Sequence, residues 1–260
     1  MVVRNYCSAI MLLLVVSLAL SGCASTNGKA TESEGPKYSG FLSDYSKLEP
    51  DQDGSGAMRY RNRNTDFKKY KKIILDPIRV SLLDGAEYKA IDPAELKALT
   101  DYFREAIARE LGDAYPLVTE PGPDVLRARI AITDLVPTKP EMSVAVLVTP
   151  YATVADLASG TATKGGAGSA PYLGHTAIEG EGLDSMTLEQ VIAYVEQRYP
   201  KKYDVDTSEG LGKAVTKGYG EYFKSYQAWA YTKGAFDYWA KKLRTRLDEI
   251  YGKKKAEEKK

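Results

Sequence analysis

Apolar and polar residues alternate along two stretches of the chain, which is typical of strands with one buried face. Residues 125–136 place Leu126, Ala128, Ile130 and Ile132 on one face, and residues 175–184 alternate in the same way. Runs rich in β-branched residues at 72–80 and 191–197 predict two more strands, and residues 117–119 are compatible with a short fifth one.

A helix is predicted to begin at Asp92, because Asp92, Pro93 and Glu95 occupy the N-cap, first-turn and capping-box positions. Apolar residues then recur every three or four positions until Gly112, where the helix is expected to end. The apolar face consists of Leu96, Leu99, Phe103, Ile107 and Leu111.

Residues 217–251 carry a second helical stripe rich in aromatics. A straight helix of that length would measure about 52 Å, whereas a domain of this size is roughly 43 Å across. We therefore expect either a break at Gly234 or a projecting end. The stripe suits core packing, or a partner-binding face that includes Tyr222, Tyr226, Trp229 and Trp239. Together the elements predict an α+β fold with a mixed or antiparallel sheet of about four to five strands and helices mainly on one face.

The beginning of the chain predicts export. Residues 9–20 form a charge-free apolar run that is too short to span a bilayer and suits a signal peptide. Leu20-Ser21-Gly22-Cys23 resembles the lipobox of bacterial lipoproteins, and the alternative is an ordinary secretory signal with a chance cysteine. The resemblance implies a signal peptide over residues 1–22 and lipidation, including palmitate, at Cys23. Ala24 and Ser25 then imply an outer-membrane anchor that faces the periplasm.

The remaining chain divides into a flexible tether over residues 23–39, a single α+β domain over 40–252 and a charged tail over 253–260. Loss of Arg4 with the signal peptide would lower the 36 basic residues to 35, which equals the 35 acidic residues. A net charge of zero argues against nucleic acid as a partner.

Cysteine and histidine are too scarce for several kinds of chemistry. Cys7 would leave with the signal peptide and Cys23 would carry lipid, so no disulfide, thiolate metal site or cysteine nucleophile is expected. His175 is the sole histidine, which argues against multi-histidine metal sites. No cofactor and no metal is expected.

Two blocks of sequence resemble a family of bacterial lipoproteins known as domain of unknown function 3313 (DUF3313). The first is F-L-S-D-Y-S-K-L at 41–48, soon followed by Tyr70 and the strand at 73–78; the second is G-H-T-A-I-E-G-E-G-L-D-S-M-T at 174–187. The family usually continues with T-G-E, whereas this chain has Thr187-Leu188-Glu189. No established activity comes with the resemblance.

The second block carries a pair of carboxylates. Glu179 and Glu181 share one strand face, and paired carboxylates can hydrolyse glycosides. Arg127 and Arg129 have the same spacing on the preceding predicted strand. The favoured interpretation is therefore a cross-strand ion-pair ladder on an exposed face.

Three further segments each admit two interpretations. Residues 51–56 resemble half of an EF-hand loop, but Asn62 stands where the bidentate glutamate belongs, so a polar turn is favoured. Residues 59–72 combine aromatics with basic residues, among them Arg59, Arg61, Arg63 and Lys68, and predict either a solvated face or a site for lipopolysaccharide or peptidoglycan. Residues 138–173 form a long glycine-rich connection that either packs on the core or contacts a partner or the membrane.

These observations favour a non-enzymatic accessory or partner-binding module of the cell envelope, with an envelope protein as partner and outer-membrane lipid held by the Cys23 acyl chains. The alternatives are a peptidoglycan- or lipopolysaccharide-binding protein and a cell-wall glycan hydrolase.

Overall fold

The computed structural model describes residues 37–83, 91–139, 171–200 and 228–252. Within these residues one mixed sheet contains seven strands: β1 (Glu49–Pro50), β2 (Met58–Arg61), β3 (Lys72–Leu75), β4 (Arg79–Val80), β5 (Val125–Val136), β6 (His175–Asp184) and β7 (Gln190–Arg198). Their order is β1-β2-β7-β6-β5-β3, and β4 also pairs with β5. β6 is antiparallel to both β5 and β7, whereas β3 and β4 run parallel to β5.

The α+β class and the mixed sheet are confirmed, but the predicted number of strands is too low. β5 and β6 have the predicted bounds because alternate residues of each strand pack against the helical core, and most residues of the opposite face are buried as well. The predicted run at 72–80 divides into β3 and β4 around Pro77, and Leu117 forms only an isolated bridge with Ile73. β1 and β2 were missed because they are only two and four residues long, although Met58 and Tyr60 of β2 alternate with Arg59 and Arg61.

Helix α1 spans Pro93–Leu111 and begins as predicted, with Asp92 Oδ1 accepting a hydrogen bond from the N–H of Ala94 at 2.7 Å. The predicted apolar face is the buried one, since Leu99, Phe103 and Ile107 all lie in the core. Gly112 caps the C-terminus with φ +47°, a backbone conformation that favours glycine.

Helix α2 spans Ala230–Tyr251 and continues through Gly234, so of the two expected alternatives the break at that glycine is wrong. Phe236 stacks on Phe103 of α1 with ring centroids 4.4 Å apart, and both rings pack against the same face of the sheet. Residues 217–227, including the first part of the predicted stripe, lie outside the described residues.

The strands and helices belong to one compact unit, residues 38–260, which is distinct from residues 1–37 and contains the whole of the described core. Neither of the two described helices is both long enough and apolar enough to cross a membrane. The sheet face opposite the helices is covered near Ala193 and Val195 by an N-terminal segment, residues 38–48, here called the strap.

Candidate functional site

The two sequence blocks meet at Glu179, whose side chain is 0 % exposed under the strap. The backbone N–H and hydroxyl of Ser39 donate to its Oε1 and Oε2 at 2.7 and 2.8 Å. The hydroxyl of Tyr45 donates to Oε2 at 2.5 Å. The strap therefore supplies a hydrogen-bond donor to each oxygen of a fully buried carboxylate, which would otherwise be costly to bury.

Glu181 is held in the same way and is 4 % exposed. The N–H and hydroxyl of Ser43 donate at 2.8 and 3.1 Å, and Gln190 Nε2 donates at 2.9 Å. Arg129 Nη1 lies 2.5 Å from Oε1. All four oxygens of the Glu179–Glu181 pair thus accept hydrogen bonds from the protein.

The predicted ion-pair ladder forms only in part. Arg129 lies opposite Glu181 in the β5–β6 register and pairs with it, but Arg127 lies opposite Leu183 and pairs with Asp76 at 3.0 Å instead. The prediction that this face of the sheet is exposed is wrong, because the strap covers it. Ser39 and Tyr45 were not identified from sequence, since polar residues in a loop carry no periodic signal.

Burial raises the pKa of Tyr45 to about 12, and the hydrogen bond to the Glu179 carboxylate adds to the rise. Burial also raises the pKa of Tyr70 to about 12, with a further contribution from its 2.8 Å hydrogen bond to Asp184. Both phenols therefore stay protonated at neutral pH and act as donors to carboxylates on β6.

Asp184 ends β6 and organises the turn to β7. Burial raises its pKa, but the ammonium of Lys69 at 2.8 Å, the N–H groups of Thr187 and Met186 and the phenol of Tyr70 outweigh that effect and hold the pKa well below its usual range. Leu188, at the position of the missing family glycine, adopts φ +59°.

A cavity of about 320 Å³, lined by both polar and apolar residues, lies at the other end of β6. His175 lies on its wall, 2.8 Å through Nε2 from Asp134 Oδ2 and 5.3 Å from the ring of Tyr199. Gly174 is required here, because a Cβ would fall 2.0 Å from the carbonyl oxygen of Val136. Asp134, the partner of the sole histidine, was not identified from sequence.

The basic stretch is largely engaged within the protein. Arg59 pairs with Asp51 at 3.2 Å, Arg61 lies 4.9 Å from the Phe67 ring centroid, and Lys69 and Lys72 pair with Asp184 and Asp124. Arg63 and Lys68 are exposed and make no ion pair with the residues that the structure describes.

In the segment that resembles half of an EF-hand loop, the first carboxylate lies beside cationic side chains. The buried side chain of Asp51 lies 3.1 Å from Arg246 as well as 3.2 Å from Arg59. Over residues 37–83, 91–139, 171–200 and 228–252, no group of His, Cys, Asp or Glu has the arrangement of a metal site.

Of the aromatic residues predicted to form an interaction surface, the structure describes Trp229 and Trp239. Trp239 is 4 % exposed and donates through Nε1 to Glu196 at 2.6 Å, so its predicted place on a surface is wrong; its indole fills the core between α2 and β7. Trp229 is half-buried beside the start of α2. Tyr222, Tyr226 and the lipidation candidate Cys23 lie outside the described residues, as does most of the 138–173 segment.

Comparison with known proteins gives a family match. Residues 37–209 match the model of a protein family of unknown function, DUF3313. Over 188 residues the chain is 32% identical to the uncharacterized lipoprotein YdcL of Escherichia coli, covering 69% of this chain and 77% of that protein.

Among solved structures, a PelC dodecamer variant from Paraburkholderia phytofirmans has 9% identity and a TM-score of 0.30, covering 66% of this chain and 96% of that one. A DUF4136 family protein from Bacteroides thetaiotaomicron has 8% identity and a TM-score of 0.27, covering 74% and 98%. Similarity at this level carries no conclusion about fold or function.

Proposed function

The chain belongs to the DUF3313 family, and from that premise we propose that it is a lipoprotein anchored through Cys23 to the outer membrane, facing the periplasm, whose domain binds an envelope partner and catalyses no reaction. The name of the Escherichia coli relative and the Leu20-Ser21-Gly22-Cys23 sequence support the anchor. Two or more acyl chains on one cysteine suffice for stable anchoring.

The proposal that the domain catalyses no reaction rests on one observation: hydrogen bonds from the strap occupy the carboxylates of Glu179 and Glu181. A glycosidase needs two carboxyl groups that reach the substrate, one of them to protonate the leaving group. Here every oxygen of the pair is held by donors such as Ser39, Ser43 and Tyr45. The pair serves to fasten the strap, and the geometry does not favour glycan hydrolysis at this position.

The anchor is tested by labelling cells with an alkyne palmitate analogue. The wild-type chain is expected to take up label and to fractionate with the outer membrane, whereas Cys23→Ser removes the label and releases the protein into the periplasm. Cys7→Ser serves as the matched control and should change neither result. Unlabelled wild-type protein, or labelled Cys23→Ser protein, would contradict the anchor.

Partner binding is tested by photo-crosslinking in cells from the cavity residue Tyr199, with the exposed Met186 at the far end of β6 as control. We expect one discrete adduct from Tyr199 and none from Met186. Equal adducts at both positions, or none at either, would count against a partner at this cavity. Purified wild-type protein that degrades sacculi, with activity lost in Glu179→Gln, would overturn the non-enzymatic role.

A second candidate, binding of lipopolysaccharide or peptidoglycan, is favoured by the exposed Arg63 and Lys68. Co-sedimentation with sacculi and with lipopolysaccharide micelles at low and high salt tests it, because contacts with anionic groups weaken as salt rises. Arg63→Gln/Lys68→Gln should abolish pelleting. Lys97→Gln, an exposed control on α1, should not.

A further inference from the structure

The central strand β6 carries glycine at positions 180 and 182, on the face toward the helices. Neither glycine has a positive φ, and a Cβ on Gly180 would meet Ile130 Cγ1 at 3.7 Å, an ordinary contact. A Cβ on Gly182 would likewise lie 3.4 Å from Ile192 Cβ. Glycine weakens a strand interior, so neither conformation nor crowding explains this pair. Because Gly180 and Gly182 have no side chains, a space stays open between β6 and the helices.

That space is a cleft of about 170 Å³ between the sheet and α2, here called the apolar cleft. An apolar void of about 150 Å³ takes up a benzene-sized molecule, so the apolar cleft has room for a short hydrocarbon segment. Gly180, Ile192 and Leu243 are only half-buried although they line it, so the cleft reaches the surface. Its walls include the side chains of Ile130, Ile178, Ile192, Leu243, Leu247 and Ile250.

The charged residues that line the apolar cleft are mainly cationic: Arg59, Arg61, Lys242 and Arg246. Two carboxylates line it as well, Asp51, which pairs with Arg59 and Arg246, and Glu181, which pairs with Arg129. Carboxylates just outside neutralise part of the charge, since Asp53 contacts Lys242 at 2.8 Å and Glu249 contacts Arg246 at 3.2 Å. Arg61 makes no ion pair with any described residue, which leaves a positive charge beside an apolar space.

We propose that the apolar cleft binds a single-chain amphipathic anion, with its acyl chain against Gly180 and its carboxylate or phosphate at Arg61. This inference rests on the proposed function as a binding module and names its ligand class. A hydrocarbon chain complements the apolar walls, and an anionic head pairs with a guanidinium that has no other ion-pair partner. Free fatty acids and single-chain phospholipids share this chemistry.

Calorimetric titration of residues 38–260, the compact unit that holds the whole described core and the strap, tests the proposal. The probes are straight-chain carboxylates from butanoate to decanoate, with the matching alcohols and alkyl phosphates. Each added methylene should tighten binding about fourfold until the cleft is filled. Alcohols should bind more weakly than either anion. Tighter carboxylates indicate a fatty acid, and tighter phosphates a phospholipid source.

Variants separate the chain contact from the head contact. Gly180→Leu fills the apolar cleft and should weaken binding more than about tenfold without lowering the melting temperature, while Gly180→Ala should give a smaller loss. Arg61→Gln should weaken binding of anions but not of alcohols, and Arg63→Gln, outside the cleft, should change neither. If Gly180→Leu unfolds the protein, the binding measured for Gly180→Ala and Arg61→Gln still decides whether the ligand lies in the apolar cleft.

Absence of binding by every probe, affinity independent of chain length, or unchanged binding in these variants would overturn the inference. A cleft that receives a partner's helix instead would give the first of these results. Such a protein would still label at Cys23 and crosslink from Tyr199, so the proposed function would stand. Loss of those two signals with anion binding retained would overturn the proposed function alone.

Discussion

Leu188 occupies the left-handed backbone region in the turn between β6 and β7, with φ +59°. A residue with a Cβ pays about 1–2 kcal/mol for this conformation. Leu188 is 55 % exposed, so its side chain gains little burial in return. The departure from the family's glycine therefore leaves the turn in place, fastened by Asp184, but at a cost in stability.

Leu188→Gly should raise the free energy of unfolding by roughly 0.5–1 kcal/mol, because relief of the strained φ exceeds the added entropy of the unfolded chain. Urea denaturation measures the change. Leu188→Ala removes the side chain but keeps the Cβ and should give no gain. Equal stabilisation by the two variants would show that the exposed side chain, not the backbone, is responsible.

The strap has no regular secondary structure. It is held on the sheet mainly by hydrogen bonds from its side chains to carboxylates of β6. In Ser39→Ala/Ser43→Ala, two hydroxyl hydrogen bonds to carboxylates are lost, each worth about 1.5–3 kcal/mol. Trypsin cleavage after Lys47, monitored by mass spectrometry under native conditions, should accelerate more than about tenfold.

Ser46→Ala is the matched control for the strap, because the Ser46 hydroxyl donates only to Asp44 within the strap. Its cleavage rate should equal that of the wild-type chain. If Ser46→Ala accelerated cleavage as much as the double variant, the Glu179 and Glu181 contacts would not be what holds the strap.

Helix α2 carries an exposed glycine inside its second turn. A Cβ on Gly234 would meet no atom within 4 Å, so Gly234→Ala removes only the entropic penalty of glycine. We expect the free energy of unfolding to rise by about 0.5–1 kcal/mol and the melting temperature to rise by about 1–4 °C. A decrease in a thermal melt would mean that the helix needs flexibility at this position.

Sequence reasoning identified the elements whose periodicity comes from burial and missed those held by specific contacts. β5, β6 and α1 were predictable because one face of each contacts the core. The short strand β2 reads M-R-Y-R. Met58 and Tyr60 form an apolar face that packs beside the strap, but four residues are too few to reveal a period, and pairing with β7 fixes the strand. At the site, Glu179 and Glu181 were recognised as a pair, but their partners in the strap lie about 140 residues away in sequence. No local sequence pattern indicates a contact over that separation.

Across the whole molecule, tyrosines from separate segments donate to carboxylates of β6, and this links stability to alkaline pH. A tyrosine in the unfolded chain ionises near pH 10, whereas folding raises the pKa of Tyr45 and Tyr70 to about 12. Their contribution to stability is complete below about pH 10 and is lost as the pH rises toward 12.

Urea midpoints should therefore be flat from pH 7 to 9 and fall above about pH 10. Tyr45→Phe/Tyr70→Phe should be less stable at pH 8 but show a shallower alkaline decline. Tyr102→Phe is the comparison away from β6: its phenol donates to Asp237 on α2, and burial with that hydrogen bond raises its pKa too, so this single variant should lessen the alkaline decline less than the double variant does. An unchanged alkaline slope in the double variant would assign the decline to other groups.

The strap also determines how the domain responds to mechanical force. A pull on the chain before Tyr38 is transmitted through Ser39 to Glu179, and so to the strand at the centre of the sheet. β6 is hydrogen-bonded to β5 on one side and β7 on the other, so the load is shared between two antiparallel pairings. Tension on the chain before Tyr38 is therefore applied to the middle of the sheet rather than to an edge strand, where peeling would begin.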